Sequence, residues 1–534
     1  MPGFVSFVNR VSELSLIEEA FSDLLYKQHL NTPIIDFYGV EGIGKTSILT
    51  KVIEKCDENA IPYISADADQ DLPQFSKKIR EQIKRYYKTN LLKDAENAEP
   101  VELLRALLER GPLVMLLDAV DTTNENQLLQ IENLLRELIL YNKFFVVLTS
   151  RRKIAFEHDK SVARKLLAFP VQPLDREGTD LYLNSINFPA DSPVRETIFE
   201  WTRGYPLAMN AMVQALDEGI TLTEEQGRQN LMARIVESVI ARGLLAQVKT
   251  EDPVWIKTAL NLLAVPRRFN LVVMQKLIER FEPELILSNS LAYITLPKRI
   301  AKSTGVIGWD LIKAGFAIDE PVRNILLLQL KIGQPEHYYE LNRFLAEMNW
   351  QSASEVTGSD RIRYQREYLY HRANSVEEIF VPQILEDAVA NIIRDAEQTP
   401  DQLVQFSTDF IEDNELKEDL GVNVSIVLTM LYSSLARQMQ LLYEQEMDEE
   451  KRLRHLYDFF YYTVHNPTLA DLDRSSLTTT LKEHILLLQE QEGAGHMLKL
   501  YEDLGKDTVF VQALGNEFTV LHALLRKDSD SSQE

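Results

Sequence analysis

Eight consecutive residues, Gly39-Val40-Glu41-Gly42-Ile43-Gly44-Lys45-Thr46, carry the spacing G-x-x-x-x-G-K-T. The chemistry of this spacing is phosphate binding. Glycines let the main chain curl until successive N–H groups point at one anion, and the N-terminus of the following helix adds positive potential. The lysine reaches the terminal phosphates and the threonine hydroxyl ligates Mg²⁺. The context fits, because Pro33 to Val40 is a short apolar run with strand character and Ser47-Ile48-Leu49 opens a helix. A glycine-rich turn arising by chance needs neither flank. Gly39, Gly42, Ile43, Gly44, Lys45, Thr46 and Ser47 are therefore the candidate nucleotide contacts, with Thr46 also a candidate metal ligand.

A phosphate loop of this kind needs an acid at the end of another buried strand to hold Mg²⁺ through its water shell. Leu113-Val114-Met115-Leu116-Leu117-Asp118 supplies one: a carboxylate after five apolar residues is costly to bury unless a cation or hydrogen bonds meet it. Asp118 is the candidate metal acid. Asp121, in the same turn, is a candidate for polarising an attacking water and equally a helix cap. A further run, Val146-Val147-Leu148-Thr149-Ser150-Arg151-Arg152, ends in a polar tip and a cation. Arg151 is suited to sensing a γ-phosphate, since a guanidinium binds phosphoryl oxygens in pairs; the alternative is a solvated loop cation.

These residues require elements that bring strand ends together. Pro33 to Val40, Pro62 to Ala68, Leu113 to Asp118, Phe144 to Thr149 and Leu167 to Val171 are short apolar runs separated by segments of helical period. Strands alternating with helices imply a parallel sheet covered on both faces, here over residues 1–175. Helical spacing without strands follows over 176–248, as in a small lid. Residues 249–350 read as a winged helix: helices around Trp255 to Leu263 and Leu271 to Phe281, then a hairpin pairing strands near Ala292 to Leu296 and Phe316 to Ile318. Residues 351–526 are helical, with Ile426, Met430, Leu431, Leu435, Met439 and Leu442 on one stripe, and 527–534 read as a disordered tail.

Composition narrows the classes. The 534 residues exceed one hydrophobic core, and 45% hydrophobic with 26% charged residues describes an ordered chain. The 57 Lys and Arg against 81 Asp and Glu leave −24, which disfavours polyanion binding by the molecule as a whole. One cysteine, Cys56, rules out an internal disulfide and fits a reducing compartment. The N-terminus lacks the pattern of a secretory leader and no uninterrupted apolar run approaches about 20 residues, so the expected location is the cytoplasm, without membrane contact. The nine histidines show no His-Glu-x-x-His spacing.

In order, Phe7-Val8-Asn9-Arg10-Val11-Ser12-Glu13-Leu14, the phosphate loop, Leu116-Leu117-Asp118-Ala119-Val120-Asp121, Thr149-Ser150-Arg151 and Gly204-Tyr205-Pro206-Leu207-Ala208 resemble the STAND class of signal-transduction ATPases, which includes the NB-ARC ATPases. The resemblance spans roughly residues 4–350. In the tail, Arg366-Glu367-Tyr368-Leu369-Tyr370-His371 looks like the segment that follows the winged helix in bacterial members. It implies an α/β P-loop NTPase of the ASCE/AAA+ type, followed by a helical lid, a winged helix and an all-α C-terminal region. It implies ATP/ADP and Mg²⁺ as cofactors. Phe7, Val8 and Arg10 would lie against the adenine side, and Asn9 stands where the family usually has glycine. Lys45 and Thr46 match the phosphate and Mg²⁺ contacts, Asp118 the Mg²⁺ acid, Arg151 the sensor arginine, and Pro206 the lid proline that packs on adenine.

There are two departures. Ala119 stands where some members carry a second acid, which points to slow hydrolysis. Asp319 falls about where the family's winged helix presents a histidine to the β-phosphate, and a carboxylate there repels phosphate unless protonated or turned away, so Asp319 is not expected as a nucleotide contact. The implied function is a switch, closed with ADP and open with ATP. The helical tail would receive an unknown protein or ligand trigger, and a nucleotide-dependent homo-oligomer is compatible with it. The alternative is an ATPase-coupled winged-helix DNA-binding regulator or replication-initiator-like protein, with Arg267, Arg268, Lys276 and Arg280 as phosphate contacts. A scaffold that binds nucleotide without turnover is the third.

Overall fold

The computed structural model describes residues 8–27, 29–68, 77–82, 99–120, 125–190, 192–245, 248, 253–286, 290–311, 314–396, 399–470 and 474–531. Phe7 and Asp121 lie outside them. The chain forms two compact units, Met1–Pro335 and Glu336–Glu534.

In the first unit, helix α1 (Val11–Tyr26) precedes strand β1 (Ile34–Tyr38), then α2 (Lys45–Glu58), β2 (Tyr63–Asp67), α3 (Pro100–Leu108), β3 (Leu113–Asp118), α4 (Glu125–Leu138), β4 (Phe144–Ser150), α5 (Lys160–Lys165) and β5 (Leu166–Pro170). The five strands form one parallel sheet in the order β2-β3-β4-β1-β5. Both faces are covered, which is why the strands read as unbroken apolar runs instead of alternating ones. Leu113, Met115 and Leu117 of β3 and Phe144, Val146 and Leu148 of β4 point into a core closed by Leu103, Leu104, Leu134 and Leu135 of α3 and α4. The alternate residues Val114, Leu116, Phe145 and Val147 are equally buried and face α1 and α2, where Phe21 meets Phe145 edge to face.

The strand order decides where chemistry can occur. β4 lies between β1 and β3, with Tyr38 level with Ser150 and Leu117 level with Leu148, so three strand ends open side by side on one edge. This is the P-loop NTPase fold, with the phosphate loop at the end of β1, Asp118 two strands away and the Thr149–Arg151 tip between them.

A helical segment follows: α6 (Arg176–Ser185), capped by Asp175 on the Gly178 amide at 2.7 Å, then α7 (Val194–Thr202), α8 (Pro206–Asp217), α9 (Glu225–Val236) and a π-helical stretch Glu237–Leu245. Helices α10 (Pro253–Ala264), α11 (Leu271–Phe281) and α12 (Ser290–Thr304) then lead to an antiparallel hairpin of β6 (Ile307–Asp310) and β7 (Gly315–Ile318), and to α13 (Glu320–Gly333). Asn270 caps α11 on the Val273 amide at 3.0 Å.

The expected strand at Ala292 to Leu296 is a helix instead. Tyr293, Leu296 and Ile300 repeat at helical spacing and are buried together, while the β-branched Ile294 is exposed, so the 3.6 period overrides local β-propensity. The hairpin partner of β7 is β6. Arg267 is also corrected as a phosphate contact, because it is buried within the unit, whereas Lys276 and Arg280 are exposed. The first unit ends at Pro335, not at 350, where α13 terminates at Gly333.

Among the described residues the second unit is all helical. Helices from Gly358–Ala373 to Val424–Gln445 share one core, and Glu449–Val464 to Asn516–Ser531 share another. In the first of these cores Arg361 forks onto Asp395, Gln365 donates to the same carboxylate at 2.8 Å, and Arg366 meets Asp413 at 3.0 Å. Tyr368, Leu369, Tyr370 and His371 are all buried. The stretch Asn414–Gln445 is the one among the described residues long and apolar enough to cross a membrane, and its buried stripe packs Leu431 and Leu435 into the core. That stripe starts at Val427, not Ile426. The last helix runs past Lys527 to Ser531, with Leu521, Leu525 and Ser529 buried on one face.

Candidate functional site

A cavity of about 390 Å³ lies at the shared strand edge, lined by Gly42, Gly44, Lys45, Thr46, Ser47, Asp118, Arg151 and Pro206, all expected from the sequence. Tyr182, Leu207 and Asn210 of the lid complete its wall, with Glu41, Ala119 and Ser150. Gly39, Ile43, Val8 and Arg10 do not line it. Gly39 and Ile43 belong to the loop itself, and Arg10 supports it from outside the cavity.

The phosphate loop is tied down from both sides. Arg10 is buried, and its guanidinium donates to the Ile43 carbonyl at 2.7 Å, to the Gln172 carbonyl beyond β5, and to Glu13 at 3.2 Å. Burial lowers the Arg10 pKa while Glu13 opposes the shift. Asn9 turns the chain into α1 with φ +46, the left-handed region that asparagine tolerates, and its amide reaches the Asp175 carboxylate at 2.7 Å. From the lid, the buried Tyr205 hydroxyl donates to the Glu41 carbonyl inside the loop. Leu207 lies on Gly42, where a Cβ would come within 2.6 Å of it. Gly204, at φ +71, leaves no room for a side chain: a Cβ would sit 1.7 Å from the Leu174 carbonyl oxygen. The sequence motif around Pro206 thus has a mechanical meaning, since Gly204 allows the approach, Tyr205 grips the loop and Pro206 starts α8 at its first turn.

Within the cavity the Lys45 ammonium donates to the Gly39 and Val40 carbonyls at 2.6 and 2.9 Å. The Thr46 hydroxyl is 3.4 Å from Asp118 Oδ2. Asp118 Oδ1 accepts from the Thr149 hydroxyl and from the Ala119 amide at 2.9 Å. Ala119 pays for this with φ +56, about 1–2 kcal/mol for a residue with a Cβ. Among the described residues no three of His, Cys, Asp and Glu cluster as a metal site. A hydroxyl facing a carboxylate suits Mg²⁺, which keeps most of its water and takes its remaining ligands from phosphate.

The tip of β4 is shaped by Asp36, a lone acid in the buried strand β1. Its carboxylate accepts from the Ser150 hydroxyl at 2.7 Å and from the Ile154 amide at 3.1 Å, folding the corner so that Arg151 faces the cavity. Arg151 packs against Gly305, and Arg152 donates to the Gly305 carbonyl at 3.1 Å and to the Ala301 carbonyl at the end of α12. The end of α12 is therefore joined to the end of β4. Asp319 does not line the cavity, but its carboxylate feels two cations at its edge. Desolvation pushes its carboxyl up to about 7, while Arg152 and Lys45 pull the other way. Its negative charge in turn contributes to the raised hydroxyl pKa values of Tyr38 and Tyr205, both driven first by burial. Cys56, by contrast, is a packing residue whose thiol burial pushes up to about 12.

Sequence reasoning missed Asp36, Tyr205 and Arg152. A single acid inside Ile34-Ile35-Asp36-Phe37-Tyr38 was the available signal for the first. Arg152 had none, because its acceptors are main-chain carbonyls about 150 residues away.

No protein-family model and no curated protein sequence matches the chain. Among solved structures, Cdc6p from Pyrobaculum aerophilum is similar at 13% identity and a TM-score of 0.34, covering 62% of this chain and 96% of that one. A STAND protein with a tetratricopeptide repeat sensor from Pyrococcus horikoshii matches at 15% identity and 0.31, over 97% of this chain and 72% of its own. AMPPCP-bound DnaA from Aquifex aeolicus matches at 16% and 0.32, over 56% and 93%. Likenesses this loose carry no function.

Proposed function

We propose that the chain binds ATP and ADP with Mg²⁺ and works as a switch whose lid and winged helix respond to the nucleotide. The observation that carries this reading is the single cavity in which the phosphate loop, Thr46, Asp118, Arg151 and the lid residue Pro206 converge. The loop amides hold the phosphates. Lys45 leaves the Gly39 and Val40 carbonyls for the terminal phosphates, an exchange of neutral acceptors for anionic ones. Thr46 and Asp118 would hold Mg²⁺, which screens phosphate charge and polarises the phosphoryl oxygens. Thr149 and the Ala119 amide keep the carboxylate of Asp118 oriented toward that position. Pro206 borders the side assigned to adenine.

Turnover in this reading is slow. Ala119 offers no second acid, and Asp121 is the remaining candidate for polarising water. Arg151 reads the terminal phosphate and Arg152 passes its position to the winged helix, because both sit on one corner fixed by Asp36. A ligand shifts such an equilibrium only by its differential affinity for the two states, so the contacts at this corner must differ between ADP and ATP. The helical second unit is the proposed receiver of a trigger, in the manner of the STAND class, and the cytoplasm the proposed location.

The test is to purify the protein, identify the co-purifying nucleotide and measure mass in solution with ADP and with ATP. Lys45→Ala is expected to abolish nucleotide retention, and Arg151→Ala to remove the ADP/ATP distinction while retention persists. Undiminished retention in the lysine variant refutes the reading.

A further inference from the structure

The lid presents to the cavity a polar group that phosphates and Mg²⁺ do not call for. Tyr182, two turns into α6, lines the cavity and keeps only 2% exposure. Its hydroxyl meets no hydrogen-bond partner among the described residues, and burial alone raises its pKa. Buried tyrosines elsewhere in the chain are partnered: Tyr205 donates to the Glu41 carbonyl, Tyr338 to Asn374 at 2.8 Å and Tyr501 to the Phe518 carbonyl at 2.9 Å. That is the usual state of a buried phenol, because an oxygen withdrawn from water without a partner costs free energy. On the same wall Asn210 already accepts from Gln214 at 3.3 Å. The exception, Tyr182, stands where a ligand would supply what the protein does not.

The strand order places this hydroxyl away from the phosphates. Asp118 and Arg151, which face the metal and the terminal phosphate, lie at the ends of β3 and β4, on one side of β1. Helix α6 follows β5, on the other side of β1. Its start is fixed there: Asn9 donates to the Asp175 cap at 2.7 Å, and a Cβ on Gly178 would come within 2.8 Å of the Asn9 side chain. The neighbouring wall residues Pro206 and Leu207 are apolar and suit the face of a ring.

Resting on the nucleotide reading above, we propose that Tyr182 is a specificity residue whose hydroxyl forms a hydrogen bond with the nucleoside half of bound ADP or ATP, and so separates a nucleotide from inorganic polyphosphate. A neutral phenol can donate to a ring nitrogen or a ribose oxygen and accept from an amino group or a ribose hydroxyl. The empty protein holds no competing bond to be broken, so the contact formed on binding adds to affinity. A site built to pair a polar group of its ligand rejects the analogue that lacks it, because the protein group is then left buried and unpaired.

The experiment compares wild type with Tyr182→Phe, both full length and stripped of nucleotide. In calorimetric titrations with Mg²⁺ the variant is expected to bind ADP roughly three- to tenfold more weakly and pyrophosphate with unchanged affinity. Scanned without nucleotide, it should melt at or above the wild-type temperature, since the oxygen it loses has no partner there. Titration with 2′-deoxy-ADP locates the bond: a loss that persists assigns it to the base and one that vanishes assigns it to the ribose, and each upholds the inference. Equal ADP affinity in the two proteins, or an equal loss for pyrophosphate, overturns the inference and leaves the nucleotide reading standing. A clearly lower melting temperature of the empty variant also overturns it, by showing the hydroxyl already held. Wild-type protein that binds no ADP overturns both.

Discussion

Arg10→Met isolates the role of the tie beneath the phosphate loop. The guanidinium and the Glu13 carboxylate keep only 7% and 8% side-chain exposure. Removing the cation strands a buried carboxylate and unbinds two carbonyls, Ile43 and Gln172. Breaking a buried pair from one side costs about 3–5 kcal/mol. At about 2 °C per kcal/mol, the lower figure for large domains, the first unit of the nucleotide-free protein should melt about 6–10 °C earlier by scanning calorimetry. Arg10→Lys keeps the charge beside Glu13 but cannot span both carbonyls, so it should cost less, about 1–3 kcal/mol. Were Arg10 simply a nucleotide contact, the empty protein would not notice its loss. A melting point within 2 °C of wild type for the methionine variant, or equal damage from lysine, refutes the structural assignment.

Gly204→Ala places a Cβ 1.7 Å from a main-chain oxygen at φ +71, and should lower the melting temperature by more than 10 °C or leave the protein insoluble. Soluble, wild-type-like melting would show that the lid does not approach Leu174 so closely. Thr149→Val removes the hydroxyl that bonds Asp118, a charge-assisted bond of about 1.5–3 kcal/mol. It should weaken Mg²⁺-dependent nucleotide binding roughly tenfold and leave metal-free binding unchanged; equal losses with and without metal would contradict the role given to Asp118.

The five strands were legible because a parallel sheet buries both faces, and apolar runs bounded by polar breaks locate such strands to within a residue or two. Helix α11 was legible for a related reason, an apolar stripe with Asn270 at its start. The strand proposed at Ala292 to Leu296 failed because Tyr-Ile-Thr reads as β locally, and only the burial of Tyr293, Leu296 and Ile300 on one face reveals the helix. The site divided along another line. Lys45, Thr46, Asp118 and Arg151 announce themselves by type and spacing. Asp319 was visible as a departure, but the pull of Arg152 and Lys45 on its carboxylate was not, because those residues lie far from it in sequence. Arg10 was attributed to the nucleotide side, whereas its bonds run to the loop's own main chain.

Arg10 on Ile43 and Gln172, Tyr205 on Glu41, and Arg152 on Ala301 and Gly305 all end on peptide oxygens. Every residue type carries that oxygen, so the accepting positions are free to change identity without breaking the contact. Across diverged relatives, correlated substitution would stay silent at these joints, and a contact map inferred from covariation would omit the fastenings that hold the three parts of the first unit together.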